Sequence, residues 1–277
     1  MTIRNTTKVY GTSGWFDLAG ITHDIIRGLR YKSLFVEFAK NEIKDRYRRS
    51  MLGVLWIVIS YLLFVGAIAV FFGSFAKMPL TDYLLYVALG YAGYQYIIGN
   101  VSDGCEVFRS SSLWIKSTSL PYSVYVYTRI TRSVFPFVLH IISAVVAMAI
   151  MGWRPNLGAL YVFPALAVFL FVSPAVQMFF GFLATRWADV KHLVGAATRL
   201  MFFVTPIIWV YDEVGGMRRA LATFNPLTHF LEIFRAPLLG QGLPIVSWYY
   251  VLIYSAVIWG LAIITGAIMR RRVPFWL

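Results

Sequence analysis

Few side chains in this sequence are spaced for catalysis or metal binding. Its one cysteine, Cys105, permits neither an intrachain disulfide nor a cysteine metal cluster. Asp212 and Glu213 come nearest to a carboxylate pair for general acid–base chemistry, but adjacent residues point apart on a helix. No G-x-x-x-x-G-K-S/T phosphate loop, H-E-x-x-H or G-x-S-x-G motif occurs. We therefore predict no catalytic residue, no metal site and no cofactor or ATP site in this chain.

The densest charge cluster lies at residues 44–49, where four of the six side chains are Lys or Arg. It ends a stretch, residues 21–50, that mixes apolar and charged side chains in a pattern typical of one or two amphipathic helices in a membrane interface. The basic cluster would meet anionic headgroups there. An ordinary basic stop before a membrane span is the alternative.

Composition places the chain in a membrane. Of its 277 residues, 59% are hydrophobic and 13% charged, against about 45–50% and about 25% in soluble domains. Only helices suit spans of this length, because lipid offers no partner to backbone polar groups. We predict an all-α membrane protein with an N-terminal segment, residues 1–50, and a single transmembrane domain, residues 51–277. Its six predicted spans are residues 51–76, 83–101, 123–151, 159–185, 193–211 and 245–269.

Lys and Arg positions predict the orientation of these spans. Ten lie in the first fifty residues, four in the second loop, three in the fourth loop and three in the tail, so twenty of the 25 fall on one side. The side rich in Lys and Arg is the cytoplasmic one. We predict a multi-pass protein with both termini in the cytoplasm. This placement explains the net charge of +13 better than a nucleic-acid partner would.

Two loops carry structure of their own. Residues 102–122 predict a short amphipathic helix on the cytoplasmic face, which is either a lever for a soluble partner or a surface connector. Residues 212–244 lie on the far side yet are largely apolar, and Asn225-Pro226 divides them. We predict two short re-entrant helices that dip into the outer leaflet between the fifth and sixth spans, where irregular backbone must be shielded by protein or water.

Three stretches carry a family resemblance. Residues 44–56 (KDRYRRSMLGVLW) resemble the start of the first span in type-2 ABC exporter permeases, the membrane subunits that export polysaccharides. Residues 189–194 (DVKHLV) with 205–208 (TPII) resemble their fourth loop and fifth span. Residues 225–235 (NPLTHFLEIFR) resemble their outer-face element. These motifs, in order on a six-span layout, extend the resemblance over nearly the whole chain.

The resemblance implies partners, a substrate and residue roles. Such permeases are homodimers in the bacterial inner membrane that work with two separate ATPase subunits, which bind ATP and Mg. Their substrates are lipid-linked polysaccharides such as O-antigen, capsule or teichoic acid; O-antigen is our first expectation. The residues implied to contact the ATPase are Glu37, Glu106, Phe108, Arg109, Trp114 and Lys116. Those implied to form an outer gate are Asn225, Pro226, Phe230 and Arg235.

Two hypotheses about the substrate path follow. Aromatic rings can stack on the C–H faces of sugars, and aromatic residues share one face of each of the first two predicted spans. The conduit candidates are Tyr61, Phe64, Phe71, Tyr83, Tyr86 and Tyr94; lipid-facing aromatic belts are the alternative. The candidates for contact with a lipid pyrophosphate are Arg46, Arg48 and Arg49, since guanidinium groups suit phosphate, with plain cytoplasmic charge as the alternative.

Three other functions compete with polysaccharide export. A drug or small-molecule exporter permease of the same fold would use similar aromatic surfaces. A membrane enzyme acting on lipid-linked sugars would need a carboxylate pair or metal site that the sequence does not offer. A passive channel would have no need for a cytoplasmic lever helix.

Overall fold

The computed structural model describes residues 16–153, 156–213 and 215–277, and all regular structure within these ranges is helical. Short 3-10 turns occupy Gly73–Phe75, Leu157–Tyr161, Tyr211–Glu213 and Arg270–Arg272. The α-helices are α1 (Leu18–Leu29), α2 (Lys32–Tyr47), α3 (Leu55–Phe72), α4 (Leu80–Ser110), α5 (Ser112–Ser117), α6 (Tyr122–Ile150), α7 (Val162–Arg186), α8 (Asp189–Val204), α9 (Gly216–Phe224), α10 (Pro226–Leu238), α11 (Ile245–Met269) and α12 (Val273–Trp276).

Four helical segments among the described residues are long and apolar enough to cross a membrane. They are Leu55–Phe75, Tyr122–Ile150, Leu157–Arg186 and Ile245–Trp276. These correspond to the first, third, fourth and sixth predicted spans, so the prediction of an all-helical membrane protein is confirmed. The second and fifth predicted spans fall in α4 and α8, which are not among the four. α4 has 31 residues with charged side chains near both ends, and α8 has 16, fewer than the roughly 20 that a bilayer needs.

α4 is the central helix of the bundle and packs against α3, α6, α7, α8 and α10. It approaches α7 most closely where two glycines meet. A Cβ at Gly104 would lie 2.9 Å from the Cα of Gln177, and a Cβ at Gly181 would lie 2.8 Å from Val107. Small residues allow this approach, as at many membrane helix contacts. Buried polar pairs reinforce it, since the amide of Gln177 donates to the side-chain oxygen of Asn100 at 2.7 Å.

The loops between α4 and α6 differ from the prediction. The short helix expected within residues 102–122 is divided, because α4 continues to Ser110 and α5 occupies only Ser112–Ser117. Val107 and Phe108 are fully buried, which extends the packed part of α4 beyond the predicted span end at 101. Pro121 then immediately precedes α6, a position where its missing N–H costs no helical hydrogen bond.

The bundle has two chemically different ends. The charged end contains the C-termini of α4, α7 and α11, the N-termini of α6 and α8, and the helices α1, α2, α5 and α12. The tyrosine end contains α9 and α10, with the C-termini of α3, α6 and α8 and the N-termini of α4, α7 and α11. The segment predicted to hold amphipathic helices forms α1 and α2, and both pack on α6. The outer segment forms α9 and α10.

Candidate partner interface and substrate path

Asp24 of α1 caps α6 from outside that helix. The residue before α6 is Pro121, whose side chain cannot accept a hydrogen bond from the first-turn amides. The carboxylate of Asp24 accepts instead from the backbone N–H groups of Tyr122 at 3.1 Å and Ser123 at 3.0 Å, and the Ser123 hydroxyl donates back to the Asp24 carbonyl at 2.7 Å. A carboxylate is favoured at a helix N-terminus, so α1 is fixed to the start of α6 by hydrogen bonds and charge.

Asp17 joins the start of α1 to the end of α11. Its carboxylate accepts from the guanidinium of Arg270 at 3.1 Å, from that of Arg271 at 3.0 Å, and from the backbone N–H of Gly20 at 2.8 Å. Burial raises the pKa of Asp17, but these three donors together outweigh burial and hold the pKa below its ordinary value. Asp17 is therefore ionised at neutral pH, and it links the start of α1 to the arginines that follow α11.

An ion-pair cluster joins α2 to α4 and α6. The buried guanidinium of Arg132 donates to the carboxylates of Glu42 and Asp103, each at 2.7 Å. Arg129 lies 3.7 Å from Glu42 and also donates to the Ser110 hydroxyl at 2.5 Å. The cluster therefore ties α2 to both α4 and α6 through ion pairs of one buried arginine.

The helices α2 and α5 together form an exposed surface at the charged end. Trp114 of α5 is 53% exposed, and its ring centroid lies 5.5 Å from that of Phe38 on α2. Of the six residues predicted to contact an ATPase, Glu37, Arg109, Trp114 and Lys116 are exposed. Glu106 is partly exposed and pairs with Lys191, while Phe108 is fully buried against Phe182.

The three arginines predicted to bind pyrophosphate lie where α2 ends. Arg46, Arg48 and Arg49 are all exposed and line a shallow groove of about 530 Å³ with Asp45 and Ser50. Their guanidinium groups are therefore accessible from solvent at the end of α2.

The four tyrosines predicted to line a conduit are buried in the protomer. Each hydroxyl donates to a backbone carbonyl of a neighbouring segment: Tyr61 to Ala88, Tyr83 to Ile208, Tyr86 to either Pro206 or Trp209, each 3.3 Å away, and Tyr94 to Thr198. Tyr61 thereby ties α3 to α4, and the other three tie α4 to α8 and the segment after it. In this conformation the hydroxyls are used within the protein.

The two phenylalanines of the same prediction are accessible. Phe71 is 72% exposed and Phe64 is 37% exposed. Phe64 stacks on Tyr91 of α4 with ring centroids 4.3 Å apart, and Tyr61 stacks on His140 of α6 at 4.5 Å. Tyr91 was not among the predicted residues. It lies one helical turn before Gln95, and the side-chain amide of Gln95 donates to the Tyr91 hydroxyl.

The predicted outer-gate residues lie at the junction of α9, α10 and the segment after α8. Asn225 caps α10 by accepting from the N–H of Leu227 at 3.0 Å, and its amide donates to the Thr205 hydroxyl at 2.8 Å. Pro226 occupies the first position of α10, where proline is favoured. Phe230, one helical turn further along α10, is buried.

Arg235 is the most deeply buried charge at the tyrosine end. Its side chain is 0% exposed, and its guanidinium lies 3.6 Å from the ring centroid of Tyr86. It donates to the Glu232 carboxylate at 2.6 Å and to the Pro206 carbonyl at 3.0 Å. These contacts connect α10 both to α4 and to the segment that follows α8.

The sequence analysis did not find the cluster of Glu42, Asp103 and Arg132. Arg132, which falls inside the third predicted span, is buried between these two acids. The available signal was an arginine inside a predicted span, because such residues are usually paired. Within the described residues, no three His, Cys, Asp or Glu side chains are grouped as a metal site would require.

Comparison with known proteins agrees with this architecture. Residues 33–239 match the family described as ABC-2 type transporter. The chain is similar to two proteins of Klebsiella pneumoniae named O-antigen export system permease protein RfbA, at 26% and 25% identity over 203 residues, which is 73% of this chain and 78% of each relative. It is 21% identical over 221 residues to a Myxococcus xanthus protein of the same name, covering 78% of this chain and 84% of that protein. The chain therefore belongs to the ABC-2 type transporter family.

Proposed function

We propose that this chain is the transmembrane permease subunit of an ATP-driven exporter that moves a lipid-linked polysaccharide, O-antigen-like in kind, out of the cytoplasm across the bacterial inner membrane. The relatives named as O-antigen export permeases support the substrate class, because the alignments cover most of both chains. The chain carries no phosphate loop of its own, so ATP and Mg are bound by a separate ATPase subunit.

The observation that carries the proposal is the charged end. The helix ends rich in Lys and Arg meet there, and α2 and α5 present an exposed aromatic and charged surface between them. A soluble motor docked on this surface would push on α2, and the Glu42–Arg132–Asp103 cluster would transmit that push to α4 and α6. The charged end accordingly faces the cytoplasm, with both termini. α4 provides the second of six spans, and α8 together with the segment that follows it provides the fifth. At the far end α9 and α10 are the re-entrant pair.

The working unit is a homodimer with two copies of the ATPase. Apolar side chains on α3 and α8 remain exposed in the protomer, among them Leu63, Phe71, Leu200 and Phe203. Lipid or a second copy covers such surfaces. With the second copy there, Phe64 and Phe71 face a conduit between the protomers and offer ring faces to sugar C–H groups. Contact between the four tyrosines and substrate requires release of their carbonyl partners during transport.

Arg46, Arg48 and Arg49 meet the pyrophosphate of the lipid carrier at the cytoplasmic interface. Replacement of all three by Lys retains the charge and the topology but removes the bidentate fork. We expect export to fall in this variant while the protein still inserts. Export at the wild-type level would rule out bidentate recognition.

Docking of the ATPase is tested with a Phe38→Ala, Trp114→Ala double variant. We expect it to insert normally, to lose stoichiometric co-purification with the ATPase and to stop surface display of the glycan. The control is Phe224→Ala, an aromatic at the opposite end that is 74% exposed, against 53% for Trp114. This control should retain both co-purification with the ATPase and surface display of the glycan.

Two outcomes bear on the proposal as a whole. Glycan export by the wild type without any co-purifying ATPase would contradict it. ATPase stimulation by apolar drugs but not by lipid-linked glycan would favour the small-molecule exporter instead.

A further inference from the structure

A polar cavity of about 230 Å³ lies between α2, α3, α4 and α6. Its polar lining comes from Arg46 on α2, Gln95 and Asp103 on α4, and Arg132, Ser133 and His140 on α6. From Arg132 to His140 the cavity follows α6 for eight residues, about 12 Å along the helix. It therefore extends from the charged end into a segment that is long and apolar enough to cross a membrane.

Polar and ionisable groups at such a depth are expensive to bury and usually mark a path for substrate or ions. Pro136, which also lines the cavity, has no N–H, so the Arg132 carbonyl lacks the amide that would normally bond to it one turn later. The cavity wall thus offers donors and acceptors together, beside the ring faces of Tyr47, Tyr96 and Phe137.

The charges around the cavity leave room for an anion. Arg132 is matched by Glu42 and Asp103, and Arg129 lies near Glu42 as well. Arg46 adds a third guanidinium at the end of α2, where its side chain is exposed and forms no ion pair with a carboxylate of the described residues. The groove beside it contributes Asp45, Arg48 and Arg49, so five guanidinium groups stand against three carboxylates. The surplus positive charge lies at the end of α2.

We propose that this cavity binds the diphosphate-linked sugar at the lipid end of the exported glycan. The diphosphate binds Arg46, and the first sugar enters the cavity, where Gln95, Ser133 and His140 bond its hydroxyl groups and the aromatic rings cover its C–H faces. A cavity smaller than the roughly 300–1,000 Å³ of typical ligand pockets takes one sugar and not a length of polymer. The permease therefore recognises the junction between lipid and glycan. This inference rests on the proposed export of lipid-linked polysaccharide.

Gly99 provides a selective way to fill the cavity. It lines the cavity on α4, and a Cβ added there meets no heavy atom within 4 Å. Gly99→Leu therefore fills the space without a clash at Cβ and replaces a poor helix former by a good one. Gly260→Leu is the matched control, because Gly260 lies on α11, outside the cavity, and its Cβ also meets nothing within 4 Å.

The test measures binding to the full-length chain in lipid nanodiscs. The probes are a polyprenyl diphosphate carrying one N-acetylhexosamine, the same polyprenyl diphosphate without sugar, and phosphatidylglycerol. We expect Gly99→Leu to weaken binding of the sugar-bearing probe at least tenfold and Gly260→Leu to change it less than twofold. Arg46→Gln should weaken both diphosphate probes to a similar extent. Displacement of the sugar-bearing probe by an equal amount of phosphatidylglycerol would overturn the inference, since the cavity would then be a general anionic-lipid site.

Export in cells separates this inference from the proposed function. If deletion of the chain abolishes glycan display while Gly99→Leu binds the sugar-bearing probe and exports glycan as the wild type does, the cavity assignment is wrong and the function stands. If deletion leaves glycan display intact and the wild type binds no glycolipid, the proposed function itself is wrong. Loss of both binding and display in Gly99→Leu, with Gly260→Leu unaffected, supports the cavity.

Discussion

The two ends of the bundle are held together by different chemistry. At the charged end, α1, α2 and α11 are joined to their neighbours by carboxylates and guanidinium groups, several of them partly open to water. At the tyrosine end, α4, α8 and α10 are joined by buried hydroxyls that donate to backbone carbonyls and by one enclosed arginine. Partly hydrated ion pairs can break and re-form at low cost. Buried hydrogen bonds are costly to leave unmade. The difference predicts a charged end that moves more readily than the tyrosine end.

Removal of the enclosed arginine should have the largest effect. Arg235→Met leaves Glu232 unpaired and the Tyr86 ring without its cation, while the Pro206 carbonyl still accepts from the Tyr86 hydroxyl 3.3 Å away. We expect it to destabilise the protein by about 3 kcal/mol, the lower end of the usual range for breaking a buried pair, because Glu232 is 25% exposed. Unfolding by SDS in mixed micelles measures this loss. Arg219→Met, which removes an exposed arginine at the same end, should cost less than about 1 kcal/mol. Equal losses in the two variants would remove the distinction.

Arg132→Met should have the largest effect at the charged end. It leaves Glu42 and Asp103 unpaired, but the side chains of these acids are 39% and 27% exposed, and water compensates them in part. We therefore expect about 2 kcal/mol, less than for Arg235→Met. Addition of Glu42→Gln and Asp103→Asn should recover part of the loss. A triple variant less stable than Arg132→Met would show that the acids are not held chiefly by this arginine.

Asp17→Asn should cost about 1 kcal/mol, the usual value of a helix-capping acid, and the cost should depend on pH and salt. The folded-state pKa of Asp17 is below its ordinary value, so its stabilising contribution is complete above about pH 4 and disappears as the pH falls through the folded-state pKa. Wild type and variant should therefore converge in acid. About 1 M NaCl should also narrow the difference, since it shortens the Debye length to about 3 Å. A difference that persists under both conditions would argue against ion pairing.

Tyr94→Phe should have the smallest effect, about 0.5–1 kcal/mol, because the Thr198 carbonyl retains its helical hydrogen bond within α8. Unlike the Asp17 effect, this loss should be unchanged in high salt. Tyr249→Phe is the control, since Tyr249 is 66% exposed, and it should be neutral. Salt-sensitive destabilisation in Tyr94→Phe would weaken the contrast between the two ends.

The sequence predicts the helical architecture well and the contacts between helices less well. Hydropathy and the Lys and Arg asymmetry locate the apolar segments and group the loops into two sets, because both are local properties of the chain. The environment of Tyr86 could not be predicted in this way, because the same helical spacing fits a ring that lines a conduit and a ring that is buried against Arg235. Likewise, Arg132 has its partners Glu42 and Asp103 far away in sequence, so their proximity emerges only from the packing of α2, α4 and α6.

Site-directed labelling tests the orientation on which the whole account depends. In a Cys105→Ala background, Lys116→Cys places a thiol on α5 at the charged end, and Met217→Cys places one on α9, where Met217 is 77% exposed. A membrane-impermeant maleimide should label Met217→Cys in intact spheroplasts and Lys116→Cys only in inverted vesicles. Labelling of both from the same side would contradict the assignment of the charged end to the cytoplasm and of the tyrosine end to the outside.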